Sequence, residues 1–392
     1  MNYSNLNKAA QAAPPNLIRA FGEKINHIEG LLTFNLGEPD FPTPEIVKQA
    51  TIQSIEQDQS FYAHSRGVMA LREEVARYIQ RKFNVSYDPA SEILITIGST
   101  EGLKTAVDLV TEPGDNILVV DPNYVIYNTQ ITLAQGNIIP IDVQDASFKL
   151  TPQAIHDKMA EIGEAKAIIF NYPTNPTGVS YSREELKALA EVFTEYDLYI
   201  ISDEVYSVFN YGEEPHVSIA EFARERTLLI NGASKAFAMT GWRTAFLAAP
   251  KPLIDVGFAV HQSMITAAPT QIQYGAIAAY RDLDEEVEAM RQSYLQRRNL
   301  MMDGLDNLGI QYIKPDGAFY IMIKVPEWFD GTDQDFCLQI AEEQKVALTP
   351  GSVFGEAGKQ HVRISYASSE ENLKILLQRL ADFKTNYLKQ EP

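Results

Sequence analysis

Ile93-Leu94-Ile95-Thr96-Ile97-Gly98-Ser99-Thr100-Glu101-Gly102 reads as a buried strand that breaks at a glycine and turns directly into a helix. Apolar residues run on through Ile97 without regular alternation, the pattern of a strand covered on both faces. The unit recurs along the middle of the chain. Further apolar runs at 116–120, 138–143, 167–170, 198–202, 228–230 and 245–249 alternate with helical stretches such as 101–110 and 182–194. In the latter, Ser182 and Glu185 have the spacing of a capping box. Strands alternating with helices predict an α/β fold with a large domain built on a mainly parallel seven-stranded sheet, helices on both faces.

The flanks differ. Residues 1–16 are polar and contain Pro14-Pro15, which predicts an extended arm. A long charged helix is expected over 284–308, then short strands at 312–314, 319–324, 346–348 and 362–365, with helices at 336–344 and 370–388. This is the pattern of a smaller α+β domain. The expected division is 1–46 for the arm and the first part of the small domain, 47–283 for the large domain and 284–392 for the small C-terminal domain.

Composition narrows the function. The 392 residues carry a net charge of −19, which argues against nucleic acid or an anionic membrane as partner, because a phosphate surface needs a basic footprint. The single cysteine, Cys337, cannot form an intrachain disulfide; it reads as a core thiol and suits a reducing compartment. No signal-peptide pattern and no apolar run of roughly 18 residues is present, so a cytoplasmic protein is expected. The six histidines are scattered without metal-ligand spacing, and no metal is expected.

Four segments carry chemistry. Gly98-Ser99-Thr100-Glu101-Gly102 offers backbone N–H groups, hydroxyls and a helix dipole to an anion. Asn171-Tyr172-Pro173-Thr174-Asn175-Pro176 is a stiff loop at a strand's carboxyl end, where ligands bind in open α/β sheets. Asp203, in Ser202-Asp203-Glu204-Val205-Tyr206, ends another strand, where a buried carboxylate needs a positive partner such as a protonated pyridine. Lys235, in Ala233-Ser234-Lys235-Ala236-Phe237, lies among small and apolar residues and is followed by Arg243. Such surroundings depress an amine's pKa, and a nearby arginine suits a phosphate. Singly, these segments have ordinary readings as a helix cap, a turn, a capping aspartate and a surface lysine. Together they suggest a lysine that forms a Schiff base with a phosphorylated aldehyde cofactor.

In this order the segments resemble the aspartate-aminotransferase superfamily of pyridoxal-phosphate enzymes, fold type I. The resemblance covers nearly the whole chain and includes Asn35-Leu36-Gly37-Glu38-Pro39-Asp40, Gly67 with Leu71-Arg72, Pro315-Asp316-Gly317-Ala318-Phe319-Tyr320, Pro350-Gly351-Ser352 and Val362-Arg363-Ile364-Ser365. It implies pyridoxal 5'-phosphate as cofactor, with Lys235 as the Schiff-base lysine and proton shuttle and Asp203 paired with the pyridine nitrogen. Asn175 and Tyr206 are expected on the ring oxygen, Tyr124 stacked on the ring, and Ser99, Thr100, Ser234 and Arg243 on the phosphate. Arg363 is expected to bind the substrate α-carboxylate as a fork, with Gly37 lining the same space. Tyr62 is expected to reach the phosphate of a partner subunit, making a homodimer the active unit.

The implied reaction is transfer of an L-amino acid's α-amino group to a 2-oxo acid such as 2-oxoglutarate by a ping-pong cycle. An aromatic or broad amino acid range is preferred. The alternatives are an N-acetyl-LL-diaminopimelate aminotransferase and a carbon–sulfur β-lyase on the same scaffold. Some aspartate-specific bacterial relatives have a lysine where Thr100 stands, so its absence weakens an aspartate reading. Thr244-Ala245 follows Arg243 where a glycine is usual two positions on, which is expected to alter strand packing. Tyr62 is expected at the dimer interface near the neighbouring subunit's active site, so His64 or Arg66 close to it is a candidate for meeting a distal acidic group of the substrate bound there.

Overall fold

The computed structural model describes residues 6–212 and 214–390. Its strands in chain order are β1 (Leu32–Thr33), β2 (Ile93–Thr96), β3 (Asn116–Asp121), β4 (Asn137–Asp142), β5 (Ala167–Asn171), β6 (Tyr199–Asp203) and β7 (Thr227–Gly232). They continue as β8 (Ala245–Ala248), β9 (Tyr312–Ile313), β10 (Tyr320–Lys324), β11 (Val346–Ala347), β12 (Thr349–Pro350) and β13 (His361–Ser365). Seven of them form one sheet in the order β2-β8-β7-β6-β5-β3-β4. β8 runs antiparallel to both neighbours and the other pairings are parallel, so the expected α/β sheet is present.

Alternation along the strands explains the two covered faces. On β5, Ile168 and Phe170 pack into one apolar cluster with Leu186, Leu189 and Phe193 of the helix Arg183–Glu195. Ala167 and Ile169 point the other way, to a cluster with Leu103 and Val107 of the helix Gly98–Val110. Successive side chains of a strand face opposite sides, so a strand buried on both faces must be apolar throughout. The helix Arg183–Glu195 starts at the Ser182–Glu185 capping box expected from the sequence.

The smaller layer is a four-stranded antiparallel sheet, β12-β13-β10-β9, with the helices Asp333–Gln344 and Glu370–Gln390. β1 pairs in parallel with β11, placing Leu32 opposite Val346, so an early segment packs beside this late one. The long helix Asp284–Leu308 joins the two parts of the chain. Cys337 is fully buried, and burial pushes its thiol well above the ordinary range.

The expected extended arm is corrected in part. Residues Lys8–Ala12 form one helical turn, capped by the Asn7 side chain accepting from the Ala10 N–H at 3.0 Å. Ala13 is extended, as a residue before proline prefers, and Pro14 ends the turn. Met1–Asn5 of that arm lie outside the described residues. No described helix is long and apolar enough to cross a membrane.

Candidate active site

The sheet's topology brings the chemical segments to one edge. β5, β6 and β7 are parallel neighbours, so Asn171, Asp203 and the turn after Gly232 emerge side by side at their carboxyl ends. The Gly98 turn leaves β2 at the same edge because β2 is itself antiparallel to β8. A cavity of about 250 Å³ opens there. Gly37, Ser99, Thr100, Tyr124, Asn175, Asp203, Tyr206, Ser234, Lys235, Arg243 and Arg363 all line it. Tyr62 does not; it stands apart with 90% of its surface exposed. Arg66 is bound to Asp255 at 3.0 Å and to the Ser91 carbonyl at 2.9 Å, over the Phe258 ring, and neither it nor His64 reaches the cavity.

Lys235 sits in the short helix Ala233–Ala236 that follows β7. Its Nζ donates to the Gly37 carbonyl and lies 5.8 Å from the Tyr206 ring centroid. Burial lowers its pKa to about 8, with Arg363 and Arg243 adding to the effect and Glu38 opposing it. At pH 7.5 roughly a quarter of such an amine is neutral, against about one part in a thousand for an ordinary lysine. Gly37 is required at this contact, because a Cβ there would collide with the Tyr320 hydroxyl.

Asp203 is 7% exposed at the end of β6. Its Oδ2 accepts from the Tyr127 hydroxyl at 2.7 Å. Burial raises its pKa to about 6, against the opposing hydrogen bonds from Tyr127 and the Val205 N–H. A cation alongside would hold it ionised. Asn171 buttresses this corner: its Nδ2 donates to the Asp203 carbonyl at 2.7 Å, and its Oδ1 accepts from the Asn175 N–H at 2.9 Å. The Tyr206 and Tyr320 hydroxyls share a hydrogen bond of 2.7 Å, and burial raises both pKa values.

Arg363 is 1% exposed, on β13. Its Nη1 donates to Asn175 Oδ1 and its Nη2 to the Asn35 carbonyl, both at 2.7 Å. The guanidinium lies 4.4 Å from the Tyr320 ring centroid and 4.8 Å from that of Phe354. Its Nε has no partner. Among the described residues no carboxylate pairs with it, and burial lowers its pKa. A buried guanidinium that spends only two of its five N–H donors on neutral acceptors is prepared for an anion that arrives from outside.

The anion turn is equally open. Gly98 has φ +73°, and a Cβ at that position would collide with the Arg243 guanidinium, so glycine lets the arginine lie against the helix N-terminus. Arg243, itself left-handed at φ 55°, is steadied by Nη1 donating to the Thr240 carbonyl at 3.0 Å. Ala245 replaces the usual glycine without a clash because it stands opposite Gly232, whose missing Cβ leaves the room.

Tyr127, Tyr320, Asn171, Asn35 and Arg19 line the cavity without having been assigned a role from the sequence. Tyr320 lay within a matching motif, and Tyr127 follows Tyr124 by nearly one helical turn. Arg19, on the helix Leu17–Ile25, gave no signal beyond being a lone basic residue. The donor set suits pyridoxal 5'-phosphate. It provides a glycine turn at a helix N-terminus with an arginine, a strand-end carboxylate, an aromatic ring beside the cavity, the hydrogen-bonding side chains of Asn175 and Tyr206, and a lysine with a depressed pKa.

Comparison with known proteins agrees. The family described as "Aminotransferase class I and II" matches residues 29–380. YugH of Bacillus subtilis, whose name carries only a provisional aminotransferase assignment, is 38% identical over 385 residues, covering 97% of this chain and 98% of the relative. A second Bacillus subtilis protein, "Probable N-acetyl-LL-diaminopimelate aminotransferase", is 35% identical over 378 residues, covering 96% of this chain and 95% of the relative. The structure of the aspartate aminotransferase from Thermus thermophilus with maleate superposes with a TM-score of 0.91 at 34% identity, covering 97% of this chain and all of that one. The chain belongs to the class I and II aminotransferases, pyridoxal-phosphate enzymes of fold type I. It is a transaminase, and the family implies pyridoxal 5'-phosphate as its cofactor.

Proposed function

We propose that this aminotransferase takes the amino group from an aromatic or broad range of L-amino acids and delivers it to a dicarboxylic 2-oxo acid such as 2-oxoglutarate. The observation that carries the reading is Arg363, a buried cation lining the cavity that pairs with no carboxylate among the described residues. An α-carboxylate there would receive a planar, charge-assisted fork. Ile18, Leu36, Tyr124 and Tyr320 line the same cavity and give an apolar side chain surface to rest on. Arg19 also lines it, has no ion-pair partner among the described residues, and suits a second carboxylate.

The bound cofactor supplies an electron sink that makes the substrate Cα–H acidic. The chain's own residues do the rest. Asp203, ionised, would stay beside the ring nitrogen, held by Tyr127 and Asn171. Asn175 and Tyr206 would meet the ring oxygen, and Tyr124 the ring face. Ser99, Thr100, Ser234 and Arg243 would hold the phosphate. Lys235, neutral for an appreciable fraction of the time, would take the α-proton and return it at the other side of the transfer. Gly37 keeps the lysine within reach through its carbonyl.

The homodimer belongs to the same proposal. Phe61 and Tyr62 are 84% and 90% exposed, and Ile52, Ile55 and Met69 are further large apolar side chains left open to solvent nearby in sequence. Such exposure fits a face buried by a second copy, with Tyr62 contributing to the partner's phosphate site.

A half-reaction screen tests the substrate. The cofactor's absorbance is followed as each of a panel of amino acids is added, with N-acetyl-LL-diaminopimelate in the panel because of the second Bacillus subtilis relative. Aromatic donors should convert the cofactor most efficiently. Conversion by the acetylated diamino acid alone would replace this reading. Pyruvate and ammonia released from cystathionine without an acceptor would favour a β-lyase.

A further inference from the structure

Behind the anion turn lies a buried pair that the reaction does not use. Glu101, in the first turn of the helix Gly98–Val110, reaches back so that its Oε2 accepts from the Ile97 N–H at 3.0 Å. Ile97 has no side-chain oxygen, so no side chain caps the N–H groups of the first turn, and Glu101 instead pins the turn by its entering Ile97 N–H. Its other oxygen, Oε1, accepts from the Thr105 hydroxyl at 2.9 Å and meets His261 Nδ1 at 3.0 Å. His261 Nε2 donates to the Ser65 carbonyl at 2.8 Å. The His261 side chain is 0% exposed and that of Glu101 10%.

The partners fix the protonation of the pair as a unit. The Ser65 carbonyl only accepts, so Nε2 carries a hydrogen. One further proton lies between Nδ1 and Oε1. Whichever atom holds it, the pair is neutral overall. Burial opposes a charged imidazole, but the hydrogen bond and charge of Glu101 outweigh it and hold His261 above the ordinary histidine range, with Arg66 opposing more weakly.

This neutrality matters because Glu101 immediately follows Ser99 and Thr100. A bare carboxylate there would repel a phosphate across a region too buried for salt to screen. The pair also reaches the segment that carries Tyr62. The Ser65 carbonyl accepts from His261, Ser65 Oγ accepts from Gln262 at 3.1 Å, and the Phe61 carbonyl accepts from Thr270 at 2.8 Å.

We propose that His261 and Glu101 are positioning residues for the cofactor phosphate: Glu101 pins the anion turn from behind through the Ile97 N–H, and His261 cancels its charge while tying the turn to the Tyr62 segment. The proposal rests on the reading of the Gly98 turn as the phosphate site.

The test is a binding cycle on the full-length chain freed of cofactor, read by absorbance titration with pyridoxal 5'-phosphate and with pyridoxal, and by competition with inorganic phosphate. His261→Gln leaves Glu101 charged and should weaken pyridoxal 5'-phosphate and inorganic phosphate about 10- to 100-fold. Pyridoxal, which lacks the phosphate, should bind within about threefold of wild type. Glu101→Gln, which can still donate to a neutral His261, and the double variant should both bind phosphate within about threefold of wild type.

The double variant carries the test if His261→Gln alone does not fold, because it retains phosphate affinity only if charge cancellation is what the turn needs. Equal loss of pyridoxal and its phosphate, an unaffected His261→Gln, or a double variant that stays weak would overturn the proposal. A wild-type chain that binds pyridoxal but gains nothing from the phosphate overturns the reading of the turn itself, and the proposal with it.

Discussion

Replacing Arg363 by lysine separates its charge from its geometry. The guanidinium spends one N–H on Asn175 Oδ1 and one on the Asn35 carbonyl, and its Nε–H remains unmet. It therefore keeps enough donors to grip both oxygens of a carboxylate. A lysine ammonium has three donors, and holding the same two neutral acceptors leaves one. The variant should lose one charge-assisted hydrogen bond, worth about 1.5–3 kcal/mol. That corresponds to a rise of roughly 10- to 150-fold in the apparent dissociation constant of every amino acid donor. Arg363→Met removes the charge as well and should cost about 10²- to 10⁴-fold. The assay is the half-reaction, with the rate of cofactor conversion measured against amino acid concentration so that binding and chemistry separate. Because Arg363 is a desolvated cation without a counter-ion among the described residues, Arg363→Met should leave thermal stability close to wild type although it alters a 1% exposed residue. A threefold or smaller change in affinity for Arg363→Lys and Arg363→Met alike would refute the placement of the carboxylate fork.

Three further outcomes follow from the site. Lys235→Ala should lower turnover by at least about 10⁴-fold while the protein still retains cofactor non-covalently, checked by steady-state assay and by absorbance after gel filtration; multiple turnover near the wild-type rate would remove the lysine from the mechanism. The carboxyl of Asp203 has a folded-state pKa of about 6, above its unfolded value, so the cofactor-free protein binds more protons folded than unfolded between those values. Its stability should therefore fall as pH rises from about 4 to 6 by up to about 3 kcal/mol, and Asp203→Asn should flatten that slope in denaturant titrations at a series of pH values. Arg19→Ala should raise KM for 2-oxoglutarate about tenfold and leave KM for a monocarboxylic acceptor such as pyruvate unchanged, measured at a saturating amino donor; equal shifts for both acceptors would take Arg19 out of side-chain recognition.

The sequence located strand ends well because both the strand and its break are local. The run 167–170 became Ala167–Asn171, and 198–202 became Tyr199–Asp203, with the chemical residues at the ends. The helix expected over 284–308 has those bounds, since charge and apolar spacing repeat along it. The helical turn Lys8–Ala12 was missed because it rests on one cap from Asn7 and has too few residues for a period to emerge. Tyr127 and Arg19 were missed for another reason. Their residue types are unremarkable, and only the folding of distant segments together sets Tyr127 against Asp203 and Arg19 beside the cavity.

By itself, the sequence determined the strand–helix alternation, the reaction class and the ordered set of residues that carries it, because short-range periodicity and side-chain chemistry need no knowledge of distant contacts. Tertiary structure decided what those residues are worth. It places the Lys235 amine against Gly37, 198 positions away in the chain, and withdraws it from water so that its pKa falls to about 8. It also leaves Arg363 without a paired carboxylate among the described residues, by surrounding it with Asn35, Asn175, Tyr320 and Phe354 from separate parts of the chain. Desolvation and the presence or absence of a counter-charge are properties of a folded surface, and no local stretch of sequence contains them.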